Sequence, residues 1–244
     1  MGYSHPTIID ALVAAALPQL QGFEPQALAN TAWALAVCGV LGAPAVAVLE
    51  AAARVGLSEM TVANRCQLHQ LALCLADGAY VLDSAEGSLL QHLLAACHLA
   101  WLGHQDIITS RFQAQVHEAC LQLGDSCQVL GMEHHTEDGM FSIDVALHLS
   151  SQPSSLTGSS ERVLVAVEAD GPSHYTLSLP HWRLGSTTLR NRFLEHRGWR
   201  VLAVPFFEFS GLRNDKARVA YMKDRCQAVL ANMAGAGGGG IMAA

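Results

Sequence analysis

The sequence predicts an α+β multidomain protein: an N-terminal α-solenoid of helical hairpins followed by a C-terminal α/β unit. Three observations carry that expectation. From Ile8 to about Leu123 apolar residues recur at three- and four-residue spacing, and beyond residue 124 the spacing changes to the alternation and short apolar runs of strands. Charge divides along the chain as well. Residues 1–182 carry 4 of the 14 basic and 17 of the 21 acidic side chains, net −13, whereas residues 183–244 are net +6. The expected boundaries are 1–110 for the helical hairpins, 111–232 for the α/β unit and 233–244 for a disordered Gly/Ala tail containing the run Gly237–Gly240.

Breaks at Gly22–Pro25, Gly42–Pro44, Gly56–Ser58, Asp77–Gly78 and Gly103–His104 divide the first half into helices of roughly 12 to 18 residues. A shift of 34 positions lays Leu28-Ala29-Asn30 over Val62-Ala63-Asn64 and carries Trp33 through Gln67 to Trp101. That is the period of a helix-turn-helix repeat. An Ala-rich bundle with core tryptophans is the alternative. Ser110–Leu123 is one more amphipathic helix. Met132–Thr136 and Met140–Leu149 then read as a hairpin turning at Glu137-Asp138-Gly139, and the six serines of Ser150–Ser160 as a flexible connection. Arg162–Ala169 is a near-continuous apolar run, as in a buried strand. Thr187–His196 is a helix with Gly198 near its stop, Arg200–Pro205 a second buried strand, and Arg213 to about Ala234 a terminal helix.

Composition limits the function classes. With 244 residues, 51% hydrophobic and 14% charged, the chain is too apolar for disorder and long enough for one large or two small cores. A net charge of −7 excludes a histone-like protein that neutralises phosphate over its whole surface. Seven scattered cysteines without a Cys-x-x-Cys pair argue against a disulfide scaffold or a zinc ribbon and for a reducing compartment. Ala32–Leu49 is 18 residues without charge, but Gly39, Gly42 and Pro44 interrupt it. It reads as buried helix, and no membrane partner is expected. The opening Met-Gly-Tyr-Ser-His-Pro lacks the marks of a signal or transit peptide and reads as the interior of a longer chain.

Three acidic residues interrupt the apolar strands: Asp144 in Phe-Ser-Ile-Asp-Val-Ala-Leu, and Glu168 and Asp170 in Val-Ala-Val-Glu-Ala-Asp-Gly. Strand side chains alternate, so Glu168 and Asp170 share a face, and Asp144 joins them if its strand lies alongside. Such a cluster has the ligand chemistry of Mg²⁺ or Mn²⁺, with Asp144 and Asp170 as metal ligands. In the alternative, Asp170 caps the Asp-Gly-Pro turn and Glu168 pairs with an arginine. His174 follows the strand end closely enough to act as a general acid or base or to touch phosphate. Arg183, Arg190, Arg192 and Arg200, interleaved with Tyr175 and Trp182, have the composition for phosphate contact and for stacking on unpaired RNA bases. The alternative makes the arginines a solvated helix face and places Phe193 and Trp199 in the core.

The stretch from Asp144 to Phe209 resembles the RAP domain. The likeness is carried by Ile143-Asp144-Val145-Ala146, by Val167-Glu168-Ala169-Asp170-Gly171-Pro172-Ser173-His174-Tyr175, by Gly185-Ser-Thr-Thr-Leu-Arg190-Asn-Arg192-Phe-Leu194, and by Gly198-Trp199-Arg200 through Pro205-Phe206-Phe207-Glu208-Phe209. The helical half resembles octotricopeptide repeats and their FAST kinase-domain relatives, through Pro25-Gln-Ala-Leu-Ala-Asn-Thr-Ala-Trp-Ala-Leu-Ala and Leu68-His-Gln-Leu-Ala-Leu. The resemblance implies a restriction-endonuclease-like α/β fold. It also implies an RNA-binding protein of mitochondrion or chloroplast, acting on organellar mRNA or rRNA in processing, stability or translation, alone or in a ribosomal or other ribonucleoprotein assembly.

In that fold an Asp on one strand and Glu-x-Lys on the next form a metal site. Asp144 and Glu168 fall on the Asp and Glu, but Asp170 stands at the lysine, so the positive charge that activates water is missing. Asp170, Gly171 and His174 instead reproduce the Asp-Gly-x-x-His of a small-nuclease arrangement. Three functions stay open: a non-catalytic RNA-binding protein, a metal-dependent endoribonuclease using Asp144, Glu168, Asp170 and His174, and an RNA-binding scaffold subunit of an organellar ribosome whose acidic helical half docks protein.

Overall fold

The computed structural model describes residues 5–80, 87–104, 109–150 and 162–236. They form two compact units, one of Met1–Asp106 with Trp182–Leu189, the other of Ile107–His181 with Arg190–Ala244. The eight residues Trp182–Leu189 thus group with Met1–Asp106.

The N-terminal unit contains α1 (Pro6–Ala16), α2 (Pro25–Cys38), α3 (Ala43–Val55), α4 (Val62–Asp77) and α5 (Gly87–Leu102). Pro begins or nearly begins α1, α2 and α3, where its missing N–H costs nothing. Gly39, at φ 72°, ends α2 in the left-handed region, and the Val40 N–H closes on the Leu35 carbonyl at 2.9 Å. The uncharged run Ala32–Leu49 is therefore split between two helices, and among the described residues no helix is long and apolar enough to cross a membrane. Thr61 and Asn64 form a reciprocal capping box at the start of α4.

Helix α2 packs on α3 and α4 on α5, while α2 also lies against α4 and α3 against α5. Two hairpins thus stack first helix on first and second on second. Between α2 and α4 runs a polar ladder: Asn64 Nδ2 donates to Gln26 Oε1 at 2.9 Å, Gln26 Nε2 to Asn30 Oδ1 at 2.9 Å, and Gln67 Nε2 to Asn30 Oδ1 at 3.2 Å. Asn30 and Asn64, matched by the 34-residue shift, sit in the same ladder. Two stacked hairpins do not by themselves make the superhelix of a solenoid.

The C-terminal unit contains α6 (Arg111–Leu121), β1 (Cys127–His135), β2 (Ser142–Ser150), β3 (Arg162–Asp170), β4 (Arg200–Pro205), the four-residue α8 (Phe206–Phe209) and α9 (Asp215–Ala236). Between β3 and β4 runs α7 (Gly185–His196), which belongs to this unit from Arg190 onward. The sheet order is β1-β2-β3-β4, antiparallel for the first two pairs and parallel for the last. Strand β1 begins at Cys127, earlier than the sequence pattern indicated, because a register shift between Val129 and Gly131 breaks the alternation by which a strand is recognised. The hairpin turns where Asp-Gly foretold it. Gly139 adopts φ 69°, and Asp138 Oδ1 accepts from the Thr136 hydroxyl at 2.6 Å and from the Met140 N–H at 3.1 Å. The serine-rich connection 151–161 and positions 237–244 of the expected tail lie outside the described residues, whereas α9 continues to Ala236.

One sheet face, bearing Val145, Leu147, Val165, Val167, Leu202 and Val204, is buried against Val116 and Cys120 of α6 and Met222 of α9. Each such side chain contributes about 1.5–3 kcal/mol by leaving water. Alternation sends Asp144, Glu168 and Asp170 to the other face, where Phe193 and Leu194 of α7 are buried and Phe193 stacks on Phe141 at 5.3 Å.

Candidate functional site

Antiparallel pairing sets Val145 opposite Val167, so the next position outward brings Asp144 beside Glu168. Asp144 Oδ2 accepts the Ala169 N–H at 2.7 Å. Glu168, 3% exposed, faces Arg190 of α7, whose Nε stands 2.8 Å from Oε2 and whose Nη2 reaches the carbonyl of Ser142. Burial opposes the guanidinium charge, yet Glu168 beside it wins and holds its pKa above the ordinary arginine value. Asp144 is pushed up to about 7, first by burial and then by the charge of Glu168, against the opposing pull of the Ala169 N–H and Arg190. It takes up a proton near neutrality.

Asp170, 1% exposed, turns to the following turn instead. Its Oδ2 accepts from the Tyr175 hydroxyl at 3.2 Å, and its Oδ1 lies 3.3 Å from His174 Nδ1. His174 stands half-exposed at the rim of a cleft of about 620 Å³, whose lining also includes Phe112, Gln113, Asp144, Glu168, Arg190, Phe206 and Ser210. The cleft opens where β3 and β4 end, the edge of an open α/β sheet at which ligands bind.

Gln113 of the cleft lining and Glu133, which is bonded to it, carry no signal in the sequence that assigns them to this site. Gln113 completes the Ser110 capping box of α6, and its Nε2 also donates to Glu133 Oε1 at 2.6 Å and to the Asp144 carbonyl at 3.3 Å. The Ser-x-x-Gln pattern announces the helix start, not the second role. Glu133 accepts in addition from the Ser142 hydroxyl at 2.8 Å and the Thr109 hydroxyl at 3.2 Å, and its charge adds to those raising Asp144. It does so at φ 52°, a left-handed backbone that costs a non-glycine residue about 1 kcal/mol or more. Nothing in Met-Glu-His-His marks that conformation.

The structure redistributes the residues expected to hold metal or RNA. Among the described residues no three His, Cys, Asp or Glu side chains stand together so as to hold a metal ion. The positive charge beside Glu168 is Arg190, while Asp170 is turned to Tyr175 and His174; Asp144 and Asp170 therefore do not fit Mg²⁺ or Mn²⁺. Tyr175, 6% exposed with its hydroxyl on Asp170, is a core residue rather than a stacking surface. Trp199 and Phe193 are core as well. Arg190 is committed to Glu168 and Ser142, and Arg192 is half-buried. Arg200 is exposed but begins β4, whose other end meets the cleft. Trp182, exposed, and Arg183, half-buried, group with the N-terminal unit.

The C-terminal unit thus places a cleft with polar and aromatic lining at the carboxyl ends of its parallel strand pair, the edge at which open α/β sheets commonly bind ligands. Residues 167–225 match a family model of the RAP domain, which is generally an RNA-binding domain. Comparison with curated proteins returns no match. Nine of the thirteen residues lining the cleft fall within the matched span.

Proposed function

We propose that the protein binds single-stranded RNA through its C-terminal unit, with an unpaired base entering the cleft, and that it acts on organellar mRNA or rRNA in processing, stabilisation or translation. The observation that carries the RNA reading is the coincidence of the cleft with the RAP match. The chemistry agrees. Phe112 and Phe206 offer apolar walls for a base face, and Ser110, Ser173, Ser210 and the Asp144 carboxyl offer hydrogen bonds to its edge. Asp144, which takes up a proton near neutrality, can donate as well as accept. Backbone phosphates would meet the exposed Arg213 and Lys216, which follow Ser210 in the chain. The organellar setting rests on the family resemblance, and among the described residues no three His, Cys, Asp or Glu side chains stand together as a metal ligand set.

Fluorescence anisotropy with labelled single-stranded RNA and with a duplex of the same length tests the proposal. The single strand should bind more tightly. Equal affinity for the two, or no binding of either, would defeat it.

A further inference from the structure

We propose that Phe207 and His181 form a stacking platform for a second unpaired nucleobase, next to the cleft. This rests on the RNA-binding reading and adds a subsite to it. The imidazole lies nearly parallel to the Phe207 ring, at 23° and 5.0 Å between centroids, and Phe207 is 41% exposed. The segment leading to His181 carries Leu177 and Leu179, 97% and 79% exposed.

The local fold explains how consecutive phenylalanines come to face different ways. Chain leaving β4 enters the short helix α8, where successive side chains diverge by about 100°. Phe206 lines the cleft, whereas Phe207 stands outside it, the two rings edge-to-face at 5.3 Å and 82°. His181 is held from behind: its protonated Nδ1 donates to the Thr176 carbonyl at 3.1 Å. Tyr175 supports the pair from the core, edge-to-face on Phe207 at 5.2 Å and tied through its hydroxyl to Asp170. The platform is therefore rigid before any ligand arrives, so little side-chain freedom is lost on binding.

A stacked ring pair, in contact with Phe206 of a base-sized cleft, fits the successive bases of an unpaired strand. Aromatic stacking accepts every base because each has a π face. Sequence preference would then come from the cleft, where polar groups meet a base edge, and length of grip from the platform. All residues involved belong to the C-terminal unit.

The test measures affinity of the full chain for a labelled mixed-sequence RNA strand of roughly 12 nucleotides. Phe207→Ala should weaken binding by about five- to 150-fold, and His181→Ala by less. Phe207→Trp should retain wild-type affinity, with its added indole fluorescence quenched by the bound strand. Phe207→Leu should be as weak as Phe207→Ala. Wild-type affinity in Phe207→Leu would mean an apolar docking surface, and unchanged affinity in Phe207→Ala would mean a surface for some other partner such as a protein. Either overturns the platform while leaving RNA binding intact. Failure of the wild type to bind the strand would overturn the RNA reading and the platform together.

Discussion

Arg190 and Glu168 stand 22 residues apart in the chain and meet with Nε 2.8 Å from Oε2, while the same guanidinium reaches the Ser142 carbonyl. One side chain of α7 thereby ties β2 to β3 at the cleft. The carboxylate is almost fully buried, so its charge depends on that single partner.

Arg190→Ala should accordingly be among the most damaging substitutions in the C-terminal unit. Leaving a buried carboxylate unpaired costs about 3–5 kcal/mol, which corresponds to a fall in melting temperature of roughly 6–20 °C for a protein of this size. The double variant Arg190→Met with Glu168→Gln should recover much of the loss, since it leaves no isolated charge. A double variant no more stable than Arg190→Ala would show that the pair is not the lock inferred here.

Asp144 should make stability fall with rising pH. Its folded pKa, about 7, lies above the ordinary value of 3.8, so the native state holds the extra proton between those values. Stability is therefore fullest below the unfolded pKa and is lost as pH rises through the folded one. Asp144→Asn keeps an acceptor for the Ala169 N–H without titrating. Relative to it, the wild type should lose on the order of 2–4 kcal/mol between about pH 4 and pH 8. Urea midpoints of the two proteins that run parallel across that range would refute the assignment.

Glu133 joins α6, β1 and β2 through Gln113, Thr109 and Ser142. Glu133→Ala keeps the unfavourable left-handed backbone and removes the acceptor of a buried Gln113 amide, at about 1–3 kcal/mol. Glu133→Gln should cost less, because its carbonyl still accepts. Chemical denaturation of both variants decides, and equal losses would discount the hydrogen bonds.

Thiol reactivity should divide by burial. Cys38 is exposed, whereas burial pushes Cys97 and Cys226 up to about 12 and Cys120 higher still. A thiol-directed reagent at neutral pH should modify Cys38 rapidly, and those three only after denaturant is added. Peptide mapping showing early labelling of Cys120 or Cys226 would contradict the packing of α6 and α9 on the sheet.

RNA affinity should depend on salt through the exposed cations rather than through Arg190. Replacing Arg213 and Lys216 by Ala should flatten the log–log salt dependence by about 0.7 for each lost phosphate contact on a single strand. If the slope is unaltered, the strand follows another path across the unit.

Legibility varied with how local each signal was. The helix breaks at Gly22–Pro25, Gly42–Pro44, Gly56–Ser58 and Asp77–Gly78 all separate helices in the structure, and β4 runs from Arg200 to Pro205 as its apolar run implied. Strand alternation was enough to place Glu168 and Asp170 on one face, while Asp144 came beside Glu168 only through the antiparallel register of β2 with β3. It could not say what answers their charge. Arg190, Arg192 and Arg197 stand near one another on the same stretch of chain, and only the packing of α7 selects Arg190 for Glu168 while Arg197 meets Asp138 at 2.6 Å. Aromatic content was equally visible, but Tyr175 proved internal, its hydroxyl on Asp170, and Phe207 external, because α8 turns its first two rings in different directions.

The residues alone determined the order of elements, the hairpin at Asp138-Gly139 and the acidic face of β2 and β3, since period and turn chemistry act between near neighbours. Tertiary structure alone decided that Asp170 serves Tyr175 and His174, that Gln113 lines the cleft and binds Glu133, and that Arg190 is the guanidinium paired with Glu168. Burial and charge pairing depend on which distant segments meet, and no local pattern records that.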